Sequence, residues 1–206
     1  MQTKPPDGRD SVMHPALVQL LHAHVIDQAR LIVSADQQIG RSIDALTANR
    51  ALVDEVNARP RLTVRDLAGQ ASEVYAAEAP ARQAWTEMWA AISQVLWAAA
   101  NISKACWGIS ADIEGRREPL RVAIGISPDS PLRDRTMRDN FDHYDEKMEH
   151  FWLSKPTGVY MDRAVSGVPG FGTTLNRVRS YDVVSREVTF LGARIRLSEI
   201  VDEAHS

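Results

Sequence analysis

Apolar residues recur along most of this chain with the period of an α-helix, and the period changes only toward the C-terminus. Leu17, Leu20, Leu21, Val25, Leu31, Ile32, Ala35, Ile39, Ile43 and Leu46 mark one inner face. That face predicts a first helix from Pro15 to about residue 56. Gly40 inside it costs only about 1 kcal/mol relative to alanine. Arg59-Pro60 interrupts the pattern. Thr63 with Asp66 three residues later reads as a short capping box, and a second helix is expected over residues 64–78, with Leu67, Ala71, Val74 and Tyr75 inward. Pro80 restarts the pattern as a third helix that ends near Gly108, a suitable C-cap. Trp85, Met88, Trp89, Ile92, Val95, Leu96, Ala99 and Ile102 follow its period. Trp97 falls off that stripe, which suits a helix buried on two sides or one that contributes to an interface. Four tryptophans at helical spacing are read as core packing rather than as a stacking box.

A polar connection over residues 108–118 leads to a short helix opened by Pro119. A fourth long helix is then expected from Pro131 to Leu153, with Ser130 and Pro131 as its N-cap and first-turn pair. Met137, Phe141, Tyr144, Met148 and Phe151 form its apolar stripe. It stops before the breaker cluster Lys155-Pro156-Thr157-Gly158. Residues 165–174 are glycine-rich and predict a mobile loop; their spacing does not fit a phosphate loop. RVRSYDVV and EVTFLGARIRL are rich in β-branched and aromatic residues and read as an antiparallel hairpin around Ser185-Arg186. A third strand can follow Gly192, and LSEIVDEA closes the chain as one or two helical turns. The fold class is therefore mainly α, with residues 13–154 as a four-helix bundle. Residues 155–206 add the loop, the hairpin and a short helix packed on the bundle, and residues 1–12 are expected to be a disordered tail.

Composition narrows the function classes. A chain of 206 residues with 44% hydrophobic and 25% charged residues is an ordinary globular domain in its balance. A net charge of −3 gives no general attraction to nucleic acid or acidic membrane, so any such contact needs a local basic patch. One cysteine, Cys106, excludes an internal disulfide and a cysteine-based zinc site, and its place near the end of an apolar helix suits a buried thiol. The start of the sequence shows no apolar leader, and no apolar run reaches membrane-spanning length; a cytoplasmic location without membrane contact is expected.

The chemistry concentrates in the fourth helical segment. In a regular helix Asp139, His143, Glu146 and His150 cluster roughly 180–240° from Met137, opposite the stripe. They could ligate an ion, but no matching Glu/His pairs stand on the other helices, and His14, His22 and His24 have no acid at ligand spacing. No metal or other cofactor is expected. Arg138-Asp139-Asn140-Phe141-Asp142-His143 resembles the Arg-x4–6-His motif of the HEPN superfamily, in which a polar residue commonly follows the arginine. The surrounding LRDRTMRDNFDHYDEKMEHFW, after an alanine- and tryptophan-rich helix, is similar to a set of bacterial HEPN-like proteins with a short β-rich tail.

That resemblance implies an up-down four-helix bundle, a homodimer, and metal-independent cleavage or binding of RNA at a site shared by two copies. It would make Arg138 the phosphate ligand and His143 the proton carrier, a task suited to a group with pKa near 6.5. Asp139, one turn before His143, can orient the imidazole. A regular helix holds Arg138 and His143 about 140° apart, so a second copy across a two-fold axis would complete the constellation. Arg116, Arg117, Arg121, Arg133 and Arg135 are the candidate RNA-binding rim. Toxin members of the family pair with a protein antitoxin, the partner such a chain would have. Their tyrosine two positions after the histidine is here Asp145, with Tyr144 on the core stripe, so control by modification does not carry over. Residues 138–150 hold five acids against two bases, a poor setting for a polyphosphate. The alternative is a non-catalytic dimeric interaction protein with a degenerate site, whose polar face is stitched by i,i+4 pairs such as Arg138–Asp142 and Asp139–His143.

Overall fold

A computed structural model describes residues 13–60, 63–108, 110–154, 160–167 and 176–206, with the side chains at 111, 112, 137, 138 and 176 outside that description. The expected N-terminal tail and most of the glycine-rich loop also lie outside it. The described chain is mainly helical with a small C-terminal sheet.

Two helices of 44 residues dominate: α1, Pro15–Ala58, and α2, Val64–Trp107. At 1.5 Å per residue each is about 66 Å long. His14 caps α1 through its Nδ1, which accepts from the Ala16 N–H at 3.2 Å, and Pro15 occupies the first turn. Thr63 and Asp66 form the expected capping box: the Asp66 N–H donates to Thr63 Oγ1 at 3.2 Å and the Thr63 N–H to Asp66 Oδ2 at 2.8 Å. Gln28, Ile32, Ala35, Ile39, Ser42 and Leu46 bury one face of α1 at steps of three and four, and α2 packs along it.

The sequence divides α2 at Pro80, whereas the structure runs one helix through it. A proline forfeits one backbone donor and crowds the carbonyl four residues back. Tertiary contacts compensate here. Gln70, Ala77 and Ala84 on either side are buried, and Asn49 of α1 donates its side-chain amide to the Ala77 carbonyl at 2.7 Å.

From Ala98 to Trp107 α2 is buried on most sides, because the rest of the chain wraps around this end. Its C-cap is Gly108, at φ +67, where a Cβ would stand 2.3 Å from Ile113 Cγ2. The connection expected over 108–118 contains a short helix, α3, Ala111–Arg116, followed by α4, Glu118–Ile124. The expected fourth helix is broken. Ser130 and Pro131 open a 3-10 turn, Pro131–Arg133; α5 covers Thr136–Asp142 and α6 covers Tyr144–Ser154. The helical segments thus consist of one long hairpin and several short pieces rather than four helices of comparable length.

The remaining chain forms β1, Tyr160–Met161; β2, Ala164–Ser166; β3, Asn176–Arg177; β4, Arg179–Asp182; β5, Glu187–Phe190; and β6, Ala193–Arg196. The order in the larger sheet is β2-β4-β5-β6, with β2 parallel to β4 and the other pairs antiparallel; β1 and β3 pair separately in parallel. Tyr181 faces Val188, and Phe190 faces Ala193 across a two-residue loop, Leu191-Gly192, with positive φ at both positions as a type I′ turn requires. Val165, Tyr181, Val188 and Phe190 are buried and join the core around α2. The last helix, α7, Leu197–His205, sets Leu197, Ile200 and Val201 into the same core beside α1. The hairpin, the third strand after Gly192 and the terminal helix all match the sequence pattern.

Candidate functional site

The motif segment is held to the body by its apolar stripe. Phe141 and Tyr144 both lean on the buried Phe190 ring, with centroids 5.6 and 5.7 Å away. Arg179 of β4 lies over the Tyr144 ring at 4.3 Å and over Phe141 at 5.9 Å. Its guanidinium grips Asp162 with two bonds, Nε to Oδ1 at 2.8 Å and Nη2 to Oδ2 at 2.5 Å. Burial pushes the Asp162 carboxyl up, but the Arg179 bonds and charge and the Arg163 N–H outweigh it, leaving the carboxyl below its usual range. The same pair raises Arg179 against its own burial. Sequence reasoning missed both residues, since nothing in their local spacing joins a strand arginine to an acid seventeen positions before it and to a helix further back still.

His143 stands at the joint between α5 and α6, at φ −107 and ψ 38. The backbone ladder continues on both sides of it: its N–H donates to the Asp139 carbonyl at 3.1 Å, and its carbonyl accepts from Lys147 at 3.0 Å. The segment is therefore kinked, and angles reckoned on a straight helix do not carry across His143. The imidazole is exposed, with Nδ1 3.7 Å from Glu146 Oε2. Asp142, Asp145, Glu146 and Glu149 around it are exposed as well, and Asp139 is half-buried. The Arg138 backbone belongs to α5, and its side chain lies outside the described residues. Among the described residues no group of three or more His, Cys, Asp or Glu side chains could hold a metal ion.

The candidate basic rim is largely engaged with the chain itself. Arg121 Nη1 donates to the carbonyls of Cys106 at 2.8 Å and Glu114 at 3.0 Å. Arg135 donates through Nε to Ser103 Oγ at 3.1 Å and through Nη2 to the Gly108 carbonyl. These two cations close the C-terminal end of α2, where helix carbonyls lack partners and the helix dipole is negative. Arg133 pairs with Glu114 at 2.8 Å and also reaches the Pro128 carbonyl. Arg117 is half-buried beside the same helix end, and Arg116 is exposed. Burial pushes the Cys106 thiol up to about 12, with Arg121 and Arg117 pulling the other way, so it is an inert core thiol at neutral pH.

The tryptophans divide by role. Trp89 and Trp107 are buried, and Trp85 and Trp89 both donate their indole N–H to the Arg163 carbonyl at 3.1 Å, tying the strand region to α2. Trp97 is 55% exposed. An apolar cavity of about 290 Å³ opens between α1, α4 and the C-terminal residues, lined by His22, Ile102, Ile124 and Glu203; among the described residues no motif side chain lines it.

Fold and site together define a mainly helical protein with a C-terminal sheet and an outward, acidic, histidine-bearing kink. Comparison with protein-family models, with curated proteins and with solved structures finds no match to this chain. No described helix is long and apolar enough to cross a membrane.

Proposed function

We propose that this chain is a HEPN-like protein that acts on RNA without a metal, through a site that two copies complete. The observation that carries the reading is the orientation of the motif segment. Phe141, Tyr144 and Met148 pack inward while the His143 imidazole is turned to solvent, within reach of a second copy and of a substrate. The reading takes α1, α2 and the shorter helices after them as a HEPN-like four-helix core. Arg138 then stabilises charge on the scissile phosphate. A neutral His143 takes the proton from the 2′-hydroxyl as its oxygen attacks phosphorus, and a protonated imidazole delivers one to the departing 5′-oxygen. The location that fits this work is the cytoplasm, and a protein antitoxin is the partner that would hold it in check.

A second reading, a dimeric interaction protein with a degenerate site, has its own observation. Arg121, Arg133 and Arg135, three of the five expected rim arginines, are engaged by carbonyls, a hydroxyl and an acid of their own chain, which leaves less cation to offset the acidic face around His143. One experiment separates the two. Wild type, His143→Ala and Arg138→Ala are incubated with mixed RNA in EDTA, and the mass of each is read by sedimentation. Chelator-resistant cleavage by a wild-type dimer, lost in both variants, supports the enzyme. No cleavage, or cleavage equal in all three, removes it and leaves the interaction protein.

A further inference from the structure

We propose that the apolar cavity between α1, α4 and the end of α7 is a binding site for a small amphipathic amine, an apolar body carrying one cationic nitrogen. The inference does not rest on the RNA reading, since among the described residues no motif side chain lines this cavity.

Its walls come from parts of the chain that only the fold brings together. Val25 and Ala29 stand one turn apart on α1, and Ile102 lies on the buried end of α2. Ile124 and Ile126 flank the C-cap of α4, and Leu132 belongs to the 3-10 turn before the motif segment. Ile102 and Leu132 are buried, and Val25, Ala29, Ile124 and Ile126 pack on the core from its edge. Such a lining favours an apolar body in proportion to the area it takes from water. At about 290 Å³ the cavity stands at the lower end of small-molecule sites, which suits a body of about six to ten carbons rather than a nucleotide or a peptide.

Charge selects the head group. Among the described residues Glu203 is the one carboxylate side chain in the lining, and no lysine or arginine joins it. Glu203 is half-buried; its backbone carbonyl accepts from Ser206, and no described cation or donor engages its carboxylate. Two helix ends add to the same field. Glu203 and Ala204 lie in the last turn of α7, and Ile124 and Gly125 close α4, so the negative ends of both helix dipoles meet at this cavity. His22 stands in the lining and is exposed, and a neutral imidazole offers one acceptor nitrogen. Arg30 lies in the adjoining groove, which shares Ile26, Ala29 and Ala204, and pairs with Asp27 at 3.4 Å. The cavity therefore accepts a cation and repels an anion of the same shape.

The test uses the full chain with labelled isoleucine methyls and three probes that share a body and differ in the head: hexylamine, hexan-1-ol and hexanoate. Ligands of this size are expected to bind with dissociation constants of about 0.1–10 mM at neutral pH. The carboxylate and the helix ends predict that hexylamine binds about 5- to 30-fold more tightly than hexanoate, with hexan-1-ol between. Methyl signals of Ile102, Ile124 and Ile126 should shift, while those of Ile39, Ile92 and Ile195 stay in place. Ala29→Phe and Ala204→Phe fill the space from two walls and should each abolish binding of all three probes. Glu203→Gln should narrow the gap between hexylamine and hexanoate and leave hexan-1-ol unchanged. Circular dichroism checks that each variant is folded. No shift at the cavity isoleucines with any probe overturns the proposal, as does binding retained in both filled variants. Hexanoate bound as tightly as hexylamine, or an amine preference unchanged in Glu203→Gln, overturns the choice of a cationic ligand.

Discussion

Arg135 is the residue whose two readings differ most sharply in what they predict. As a rim arginine it would contact RNA and leave stability untouched. In the structure it is half-buried and closes the end of α2, with Ser103 Oγ at 3.1 Å and the Gly108 carbonyl as its acceptors. Ser103 is fully buried, so Arg135→Ala leaves its hydroxyl and a helix-end carbonyl without their donor. A hydrogen bond from a charged donor contributes about 1.5–3 kcal/mol. Two such bonds, discounted for partial exposure, give an expected loss of about 2–4 kcal/mol. Domains are stable by about 5–15 kcal/mol, so this is a large share. With a urea m-value near 2 kcal/mol/M, the midpoint should fall by about 1–2 M. Arg135→Lys keeps the charge but not the fork, and should fall between wild type and alanine. The assay is urea unfolding followed by far-UV circular dichroism, with RNA affinity measured at two salt concentrations beside it. A midpoint within about 0.3 M of wild type, together with a smaller salt dependence of RNA binding, would refute the capping argument and return Arg135 to the rim.

Further outcomes follow from the same contacts. Pro80→Ala should raise stability by about 1–3 kcal/mol, because α2 is continuous there and alanine restores a helix donor; a lower urea midpoint would mean the proline sets a bend the packing needs. Gly108→Ala should cost about 2–4 kcal/mol, since φ is +67 and the added Cβ meets Ile113, and a variant that melts like wild type would contradict this. Asp162, held below the usual carboxylate range by Arg179 despite its burial, and Asp182, held low by the Ser185 N–H and the Ser166 hydroxyl, contribute stability that is present above about pH 4 and lost as pH falls through their lowered values. Asp162→Asn should flatten the fall in stability below about pH 4, and an unchanged acid profile would show that the Arg179 pair is not its source.

Much of the fold was legible because it depends on neighbours in sequence. The inner stripe of α1, the Thr63–Asp66 box, the Gly108 stop and the turn before the third strand are all local: a period, a cap, a left-handed residue. So was the outward placement of His143, which follows from a stripe of Phe141, Tyr144 and Met148 on the other side. The places where sequence reasoning parted from the structure are those where a distant contact decides. Pro80 is a breaker by intrinsic preference, and only the buried positions around it and the Asn49 side chain from α1 carry the helix through. The motif segment reads as one helix, yet it kinks at His143 over a sheet whose Phe190 and Arg179 meet it from the far end of the chain.

The same division runs through the site. By itself the sequence determined that this is a mainly helical chain with a β-rich end, and that an arginine, several acids and an outward histidine share one segment, because helical period and turn chemistry are properties of short stretches. Tertiary structure alone decided which arginines are spent on capping α2, that Trp97 and not its three neighbours faces solvent, and that Arg179 and Asp162 brace the motif from below. Charge patterns along a chain do not tell a free guanidinium from a buried one. That difference arises only when the ends of α2 and the sheet are brought to the same place, where unpaired carbonyls and buried carboxylates claim the cations nearest to them.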